Sequence, residues 1–249
     1  MRQLLLDIPQ PLSDGTLPLA WPISRDVRHR LERVLRLPVG AQLIAADGLG
    51  RRVPVKWLGA EVAVDGPVQD GPPVPPTFVL AAGLIKGDRW DWLVEKASEL
   101  GVDSLQPLAC DHAVVRVDPS KSADKRQRWQ AVAQEAFEQC GRLRLCQVAE
   151  PLPLRQWLAR LGPQDSVLVC DETLPELTLA EAALPLFRAQ PQRCLHVVVG
   201  PEGGLSAEEW QALDRSGAQR VRLSRQVLRA ETAGLAAAVI VAAVREGLL

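Results

Sequence analysis

Two stretches near the C-terminus hold the residue types that site chemistry needs. Val197-Val198-Val199 runs into Gly200-Pro201-Glu202-Gly203-Gly204-Leu205-Ser206, and further on comes Leu223-Ser224-Arg225-Gln226-Val227-Leu228-Arg229-Ala230-Glu231-Thr232-Ala233. Each reads as an apolar strand, a loop of special residues and then a helix. Strands side by side in a parallel sheet put both loops at their C-terminal ends, where open α/β sheets bind ligands. The glycines let a ligand approach the main chain closely, and Ser206 with Glu209 forms the S-x-x-E capping box that starts a helix. No Gly-Lys-Ser/Thr follows, so this is not a Walker loop, and the G-x-G-x-x-G spacing of dinucleotide enzymes is absent. Glu202 beside the loop disfavours a pyrophosphate and favours ribose hydroxyls or a cation. Between Arg220 and Arg229 there are four arginines and no acid, a local positive field suited to phosphate.

The elements that must position these loops alternate from Thr77 onward. Strands are expected at 78–84, 104–109, near Leu145, and at 166–171, 195–199 and 220–223. Helices are expected at 88–100, 122–139, 154–161, 177–188, 206–216 and 230–245, with Gly101 and Gly141 ending the first two. Continuous apolar strands separated by helices predict a mainly parallel sheet covered on both faces. Before this lies Gly71-Pro72-Pro73-Val74-Pro75-Pro76, a proline run that favours extended geometry and reads as a stiff linker. It divides the chain into domains 1–72 and 73–249. The first is β-rich, with strands expected at 41–48, 52–58 and 61–65. Its one helical pattern, between Trp21 and Pro38, puts Val27, Leu31, Val34 and Leu35 on one face. Arg25, Arg28, Arg30, Arg33 and Arg36 with His29 occupy much of the rest, which is either a solvated face or an RNA-contacting one.

Composition narrows the class. The 249 residues are 47% hydrophobic and 24% charged with a net charge of −1, ordinary for a soluble globular protein and against one coated in nucleic acid. No apolar run is long enough to span a membrane, and the N-terminus lacks a signal-peptide core, so a cytoplasmic protein is expected. The cysteines Cys110, Cys140, Cys146, Cys170 and Cys194 are odd in number and contain no CxxC pair; linear spacing suggests neither a disulfide framework nor a zinc site. Cys170 and Cys194 lie in strand-like runs and read as buried thiols. His196 reads as a core residue.

The pair VVVGPEGGLSAEE and LSRQVLRAETAGLAA resembles the C-terminal signature of the SPOUT superfamily of S-adenosylmethionine-dependent RNA methyltransferases. More narrowly, the chain resembles the 16S ribosomal RNA (uracil-N3)-methyltransferase family. Three further stretches support that: VRHRLERVLRLPVGAQLIAADG, KGDRWDWLVEKASELGVDSLQPL and EAFEQCGRLRL, the last at 135–145. The resemblance implies a PUA-like RNA-binding β-barrel in the first domain. In the second it implies an α/β SPOUT-type parallel sheet with a C-terminal trefoil knot and a bent S-adenosylmethionine in that knot. Leu80, Gly83, Val199, Gly200, Pro201, Glu202, Gly203, Leu223, Val227, Leu228 and Thr232 would hold the cofactor, with Lys86 flanking. Arg25, Arg28, Arg30, Arg33, Arg142, Arg144 and Arg225 would contact RNA. A homodimer acting on 16S rRNA within the assembled small subunit is implied. Where relatives commonly carry a Ser-Glu-Arg-like run, this chain has Cys110-Asp111-His112-Ala113-Val114-Val115-Arg116, and His112 is read as structural.

The implied chemistry gives the arginine and the acid separate tasks. Uridine N3 becomes a nucleophile as its imide proton leaves, and charge then builds on the uracil carbonyl oxygens. Arg229 is expected to stabilise that charge, and Glu231 is the candidate base or the group that orients Arg229. The reaction requires no metal. Competing readings are a ribose 2′-O-methyltransferase of the same superfamily and a non-catalytic RNA-binding assembly factor. A nicotinamide dehydrogenase is more distant, lacking its fingerprint near the first strand.

Overall fold

A computed structural model describes residues 1–11, 16–71, 77–116, 118–189 and 194–249. Most of the proline run, 72–76, lies outside the described residues. The chain divides into two compact units, Met1–Pro73 with Phe137–Leu145, and Val74–Ala136 with Cys146–Leu249.

The first unit is built on a six-stranded sheet. Its strands are β1 (Arg2–Leu5), β2 (Ala20–Pro22), β3 (Gln42–Ala46), β4 (Arg51–Trp57), β5 (Glu61–Val64) and β6 (Gln69–Asp70). The order is β1-β3-β4-β5-β2 with β6 on β4; β1 runs parallel to β3 and the other pairs are antiparallel. Leu4, Leu43, Val53, Val55, Trp57 and Val62 fill its core together with Leu31 and Trp21. The expected helix is shorter than its pattern: α1 (Arg25–His29), capped by Ser24, passes directly into a π-helical segment, Arg30–Val34. A π-turn takes more residues than the 3.6 assumed by the pattern, so the apolar stripe drifts. Leu31 is buried, but Val34, expected on the same face, is 64% exposed.

The tail of the EAFEQCGRLRL stretch belongs to this unit for a specific reason. The buried Gln3 amide donates to the carbonyls of Phe137 at 3.2 Å and Arg142 at 2.8 Å. Glu138 accepts the Leu5 N–H at 3.2 Å and binds the Arg30 fork through both carboxylate oxygens, at 2.8 and 2.7 Å. Removing a carboxylate that is only 7% exposed strands a guanidinium that is 35% exposed. Glu138→Ala is therefore expected to destabilise the protein by about 1–2 kcal/mol, below the cost of breaking a fully buried pair because water partly screens Arg30. A thermal midpoint equal to that of the unsubstituted protein would contradict this.

The second unit is an α/β layer structure on a parallel sheet. Its strands are β7 (Thr77–Gly83), β8 (Ser104–Ala109), β9 (Gln147–Val148), β10 (Leu152–Pro153), β11 (Asp165–Cys170), β12 (Cys194–Val199) and β13 (Gln219–Val221). The order is β10-β8-β7-β12-β11-β13, with β9 on β8, and every pair is parallel. The helices are α2 (Asp88–Glu99), α3 (Ser122–Cys140), α4 (Leu154–Leu158), α5 (Leu179–Ala189), α6 (Ala207–Arg215) and α7 (Ala230–Arg245).

Residues of β7 and β12 are buried on both faces, which explains their unbroken apolar sequence. Leu80, Ala82, Val197 and Val199 join the core beneath α2, α5 and α7, while Ala81, Val169 and Val198 pack with Leu154, Trp157 and Leu213 from α4 and α6. This is the two-residue alternation of a strand covered on both sides. The last helix, α7, packs on α2, α5, β7 and β12 together, and its sequence is accordingly apolar almost all round. Among the described residues no helix is long and apolar enough to cross a membrane.

Candidate functional site

The strand order brings the two chemically interesting loops to one edge. Register pairs Val199 with Ala82, Gly83 with Leu108, Val169 with Val198 and Cys170 with Val221. Gly83 therefore ends its strand, and Gly200, Asp171 and Arg222 follow the ends of neighbouring ones, with β11 between the strands that carry the two loops. Arg222 is stitched to the intervening loop: its N–H donates to Leu177 O at 2.8 Å and its guanidinium to Pro175 O at 3.1 Å.

The glycine loop is packed tightly on its strand-side flank. A Cβ on Gly83 would lie 2.5 Å from the Pro201 nitrogen and 3.0 Å from the Gly200 carbonyl carbon, so only glycine admits the 200–201 backbone here. On its other side the loop meets the 110–116 segment. His112 Nδ1 is 3.2 Å from Gly203 O, and a Cβ on Gly203 would come within 2.8 Å of His112 O. The capping box forms as its sequence predicts, Glu209 N–H donating to Ser206 Oγ at 3.2 Å and Ser206 N–H to Glu209 Oε2 at 2.9 Å. It is extended by Asp111, whose Oδ2 accepts Ser206 Oγ–H at 2.6 Å and whose N–H donates to Glu209 Oε1 at 3.0 Å. The unusual 110–116 segment thus braces the glycine loop, and His112 is part of that brace. Burial, with the nearby Glu209 and Asp111 carboxylates, pushes the Cys110 thiol up, and burial pushes Cys170 up to about 12. Both stay protonated and unreactive at neutral pH.

The arginine cluster divides into two halves. Arg220 pairs with Asp214 at 2.8 Å and Asp171 at 3.2 Å, and its guanidinium lies 4.4 Å from the centre of the Trp210 ring. Burial alone would raise the Asp171 carboxyl; hydrogen bonds from Thr173 and the Arg220 pair hold it below its usual range. Arg220 and Arg222 are therefore structural, which corrects the expectation of four phosphate-facing arginines. Arg225 and Arg229 are exposed, and among the described residues their side chains make no hydrogen bond or ion pair. Arg229 is the N-cap residue of α7 without a side-chain cap bond.

Glu231, in the first turn of α7, is nearly buried, its side chain 12% exposed. Its partner is not Arg229 but Arg89, from the first turn of α2. Arg89 Nη2 lies 2.8 Å from Glu202 Oε1 and Nη1 lies 3.5 Å from Glu231 Oε1, so one guanidinium spans both carboxylates. The second Glu231 oxygen, Oε2, is buried with no hydrogen-bond partner, an arrangement that favours a donor arriving with a ligand. Sequence reasoning passed over Arg89, which reads there as one more charge at a helix start.

The other candidates fall into three groups. Leu80 and Val199 have side chains packed in the core, leaving only their main chain for a ligand. Leu223 and Leu228 are half-buried against that core, whereas Val227 is 74% exposed and Thr232 and Lys86 are exposed. Of the RNA candidates in the first unit, Arg30 is committed to Glu138 and Arg28 to Glu32, while Arg25 and Arg33 are exposed. The Arg144 guanidinium donates to Leu49 O, and the Arg142 carbonyl accepts from Gln3.

Comparison with known proteins places this edge in context. Residues 72–242 match the RNA methyltransferase domain family. The ribosomal RNA small subunit methyltransferase E of Synechocystis is 33% identical over 94% of this chain and 75% of its own length. The chain belongs to the ribosomal RNA small subunit methyltransferase E family. The Bacillus subtilis member is 29% identical over 86% of both chains. A methyltransferase E crystal structure from Neisseria gonorrhoeae, bound to S-adenosyl methionine, is 27% identical with a TM-score of 0.78 over 96% of this chain and 95% of that one. The methyltransferase E resemblance therefore covers both compact units and not the sheet alone.

Proposed function

We propose that this protein transfers the methyl group of S-adenosylmethionine to N3 of a uridine in 16S rRNA of the small ribosomal subunit. The observation that carries the reading is the position of Arg229, unpartnered among the described residues, two residues before the buried, half-satisfied Glu231 at the start of α7. The residues present fit the cofactor. Glu202, Glu231 and Arg89 together carry one net negative charge, which suits a cationic sulfonium and ammonium. The main chain of Gly200–Gly204 and Leu223–Leu228 would hold its adenosine and methionine parts, flanked by Gly83, Thr232 and the apolar Val227 and Leu228. When bound, S-adenosylmethionine supplies an electrophilic methyl for in-line displacement.

The chain's own residues then act on the acceptor. Glu231 Oε2 accepts the imide proton of uridine N3, and Arg89 holds that carboxylate in place through Oε1. Arg229 meets the charge that develops on the uracil oxygens. Positioning by the braced loops accounts for much of the remaining rate. Removing the Arg89 bridge should loosen both carboxylates at once: Arg89→Ala is expected to lower kcat/KM for methyl transfer about tenfold, while Arg89→Lys recovers part of it. An unchanged value would leave the bridge without a role.

The wider expectations follow the family. The C-terminal segment would thread as a trefoil knot, consistent with β12 inserted between β7 and β11 and with α7 packed on helices from both sides of that insertion. The first unit would be a PUA-like barrel presenting Arg25 and Arg33 to RNA, with Arg142, Arg144 and Arg225 as further contacts. A cytoplasmic homodimer would act on the assembled subunit. Titration calorimetry with S-adenosylmethionine, followed by nucleoside analysis of treated subunits, tests the core of this reading. Binding together with N3-methyluridine supports it; 2′-O-methylated nucleosides, or RNA binding without cofactor binding, would overturn it.

A further inference from the structure

Far from the loops, the opening residues of β11 and β12 gather three side chains of metal-ligating type. Asp165, Cys194 and His196 each offer one ligand atom, and these atoms all lie within 4.8 Å of one another. The register explains the cluster: Asp165 pairs with Cys194 and Val167 with His196, and residues two apart on a strand share a face. Asp165 is also held in place, its Oδ2 accepting the Gly162 N–H at 2.7 Å, which leaves Oδ1 3.1 Å from His196 Nε2. A tetrahedral zinc ion with arms of about 2.0–2.1 Å to nitrogen and oxygen needs those two atoms about 3.3 Å apart.

His196 is 7% exposed, walled by the Trp157 ring with centroids 5.6 Å apart, and its Nδ1 is buried with no hydrogen-bond partner.

We propose that Asp165, Cys194 and His196 form a site for a thiophilic divalent cation of the zinc class. A thiol, an imidazole and one carboxylate select zinc over the hard, all-oxygen cations magnesium and calcium. Asp165 and Asp103 place negative charge around Cys194, the field a dication requires. On binding, the Cys194 S–H bond gives its proton to solvent and the sulfur lone pair goes to the metal, with water in the fourth position. Cys194 precedes Gly200 by six residues, about 20 Å of extended strand. The ion would therefore tie two strand starts together rather than act on a substrate.

The test uses the full-length protein, stripped with chelator under reducing conditions and titrated with cobalt(II). One equivalent should produce a thiolate-to-cobalt absorption band, and one equivalent of zinc(II) should abolish it. Cys194→Ser should lose the band, Asp165→Asn should bind at least about tenfold more weakly, and zinc should raise the thermal midpoint of the unsubstituted chain but not that of Cys194→Ser. Failure of the unsubstituted chain to take up one equivalent would overturn the proposal, as would a band that survives in Cys194→Ser. Because the unsubstituted chain alone can give the first of those answers, the test stands even if a variant fails to fold.

Discussion

Replacing Arg229 with alanine is expected to slow methyl transfer about 10²–10³-fold, the range seen when one donor to developing negative charge is removed. Cofactor affinity should stay within about threefold. The split follows from where the residue lies: its guanidinium is exposed and makes no ion pair among the described residues, so it supports neither the loop nor the helix. Its backbone caps α7, but through extended φ and ψ angles that alanine also adopts. Arg229→Lys restores a charge without the planar fork and should recover only part of the rate. Single-turnover kinetics with saturating cofactor give the readout, and a rate equal to the unsubstituted protein's would remove Arg229 from the chemistry.

Gly83→Ala should produce the opposite pattern, an early loss of binding. The added methyl would press on the Pro201 nitrogen and Cδ at 2.5 and 2.6 Å, in a loop that His112 and Asp111 brace further on, at Gly203 and Ser206. Neither side of that contact can yield like a flexible side chain, so an overpacking cost of about 1–3 kcal/mol is expected. If the glycine loop moves away to relieve it, affinity for S-adenosylmethionine falls by roughly tenfold or more, since about 1.4 kcal/mol corresponds to tenfold. Calorimetry and a thermal melt together check this. Native affinity with an unchanged midpoint would show that the 200–201 backbone is freer than its packing implies.

How far the sequence could be read depended on the range of the interaction. Strand β12 and helix α7 were legible because burial on nearly all sides leaves an unbroken apolar run, a local signal. The capping box was legible for the same reason, its partners being three residues apart. Val34 was misplaced because the pattern assumed a regular helical repeat where the backbone makes a π-turn. Strand β1 left little signal, since four residues paired in parallel with a strand some forty positions away do not shape their own composition.

The site follows the same rule. Its glycines and arginines could be located, but not the division of the arginines into structural and free, which depends on Asp171, Asp214 and Trp210. Arg89 and the Asp165–Cys194–His196 cluster were invisible because the carboxylates that meet Arg89, and the Asp165 that completes the cluster, come from other elements. Linear cysteine spacing speaks only to ligands on neighbouring positions.

The central claim is the identity of the methylated atom, and one measurement reaches it directly. Small subunits lacking the modification are incubated with the protein and S-adenosylmethionine, and the modified position is mapped by reverse transcription and nucleoside mass spectrometry. Methylation at N3 blocks the pairing edge of uracil, so the account predicts one strong stop in 16S rRNA that coincides with N3-methyluridine. A methyl group on the ribose, or no incorporated methyl at all, would contradict it.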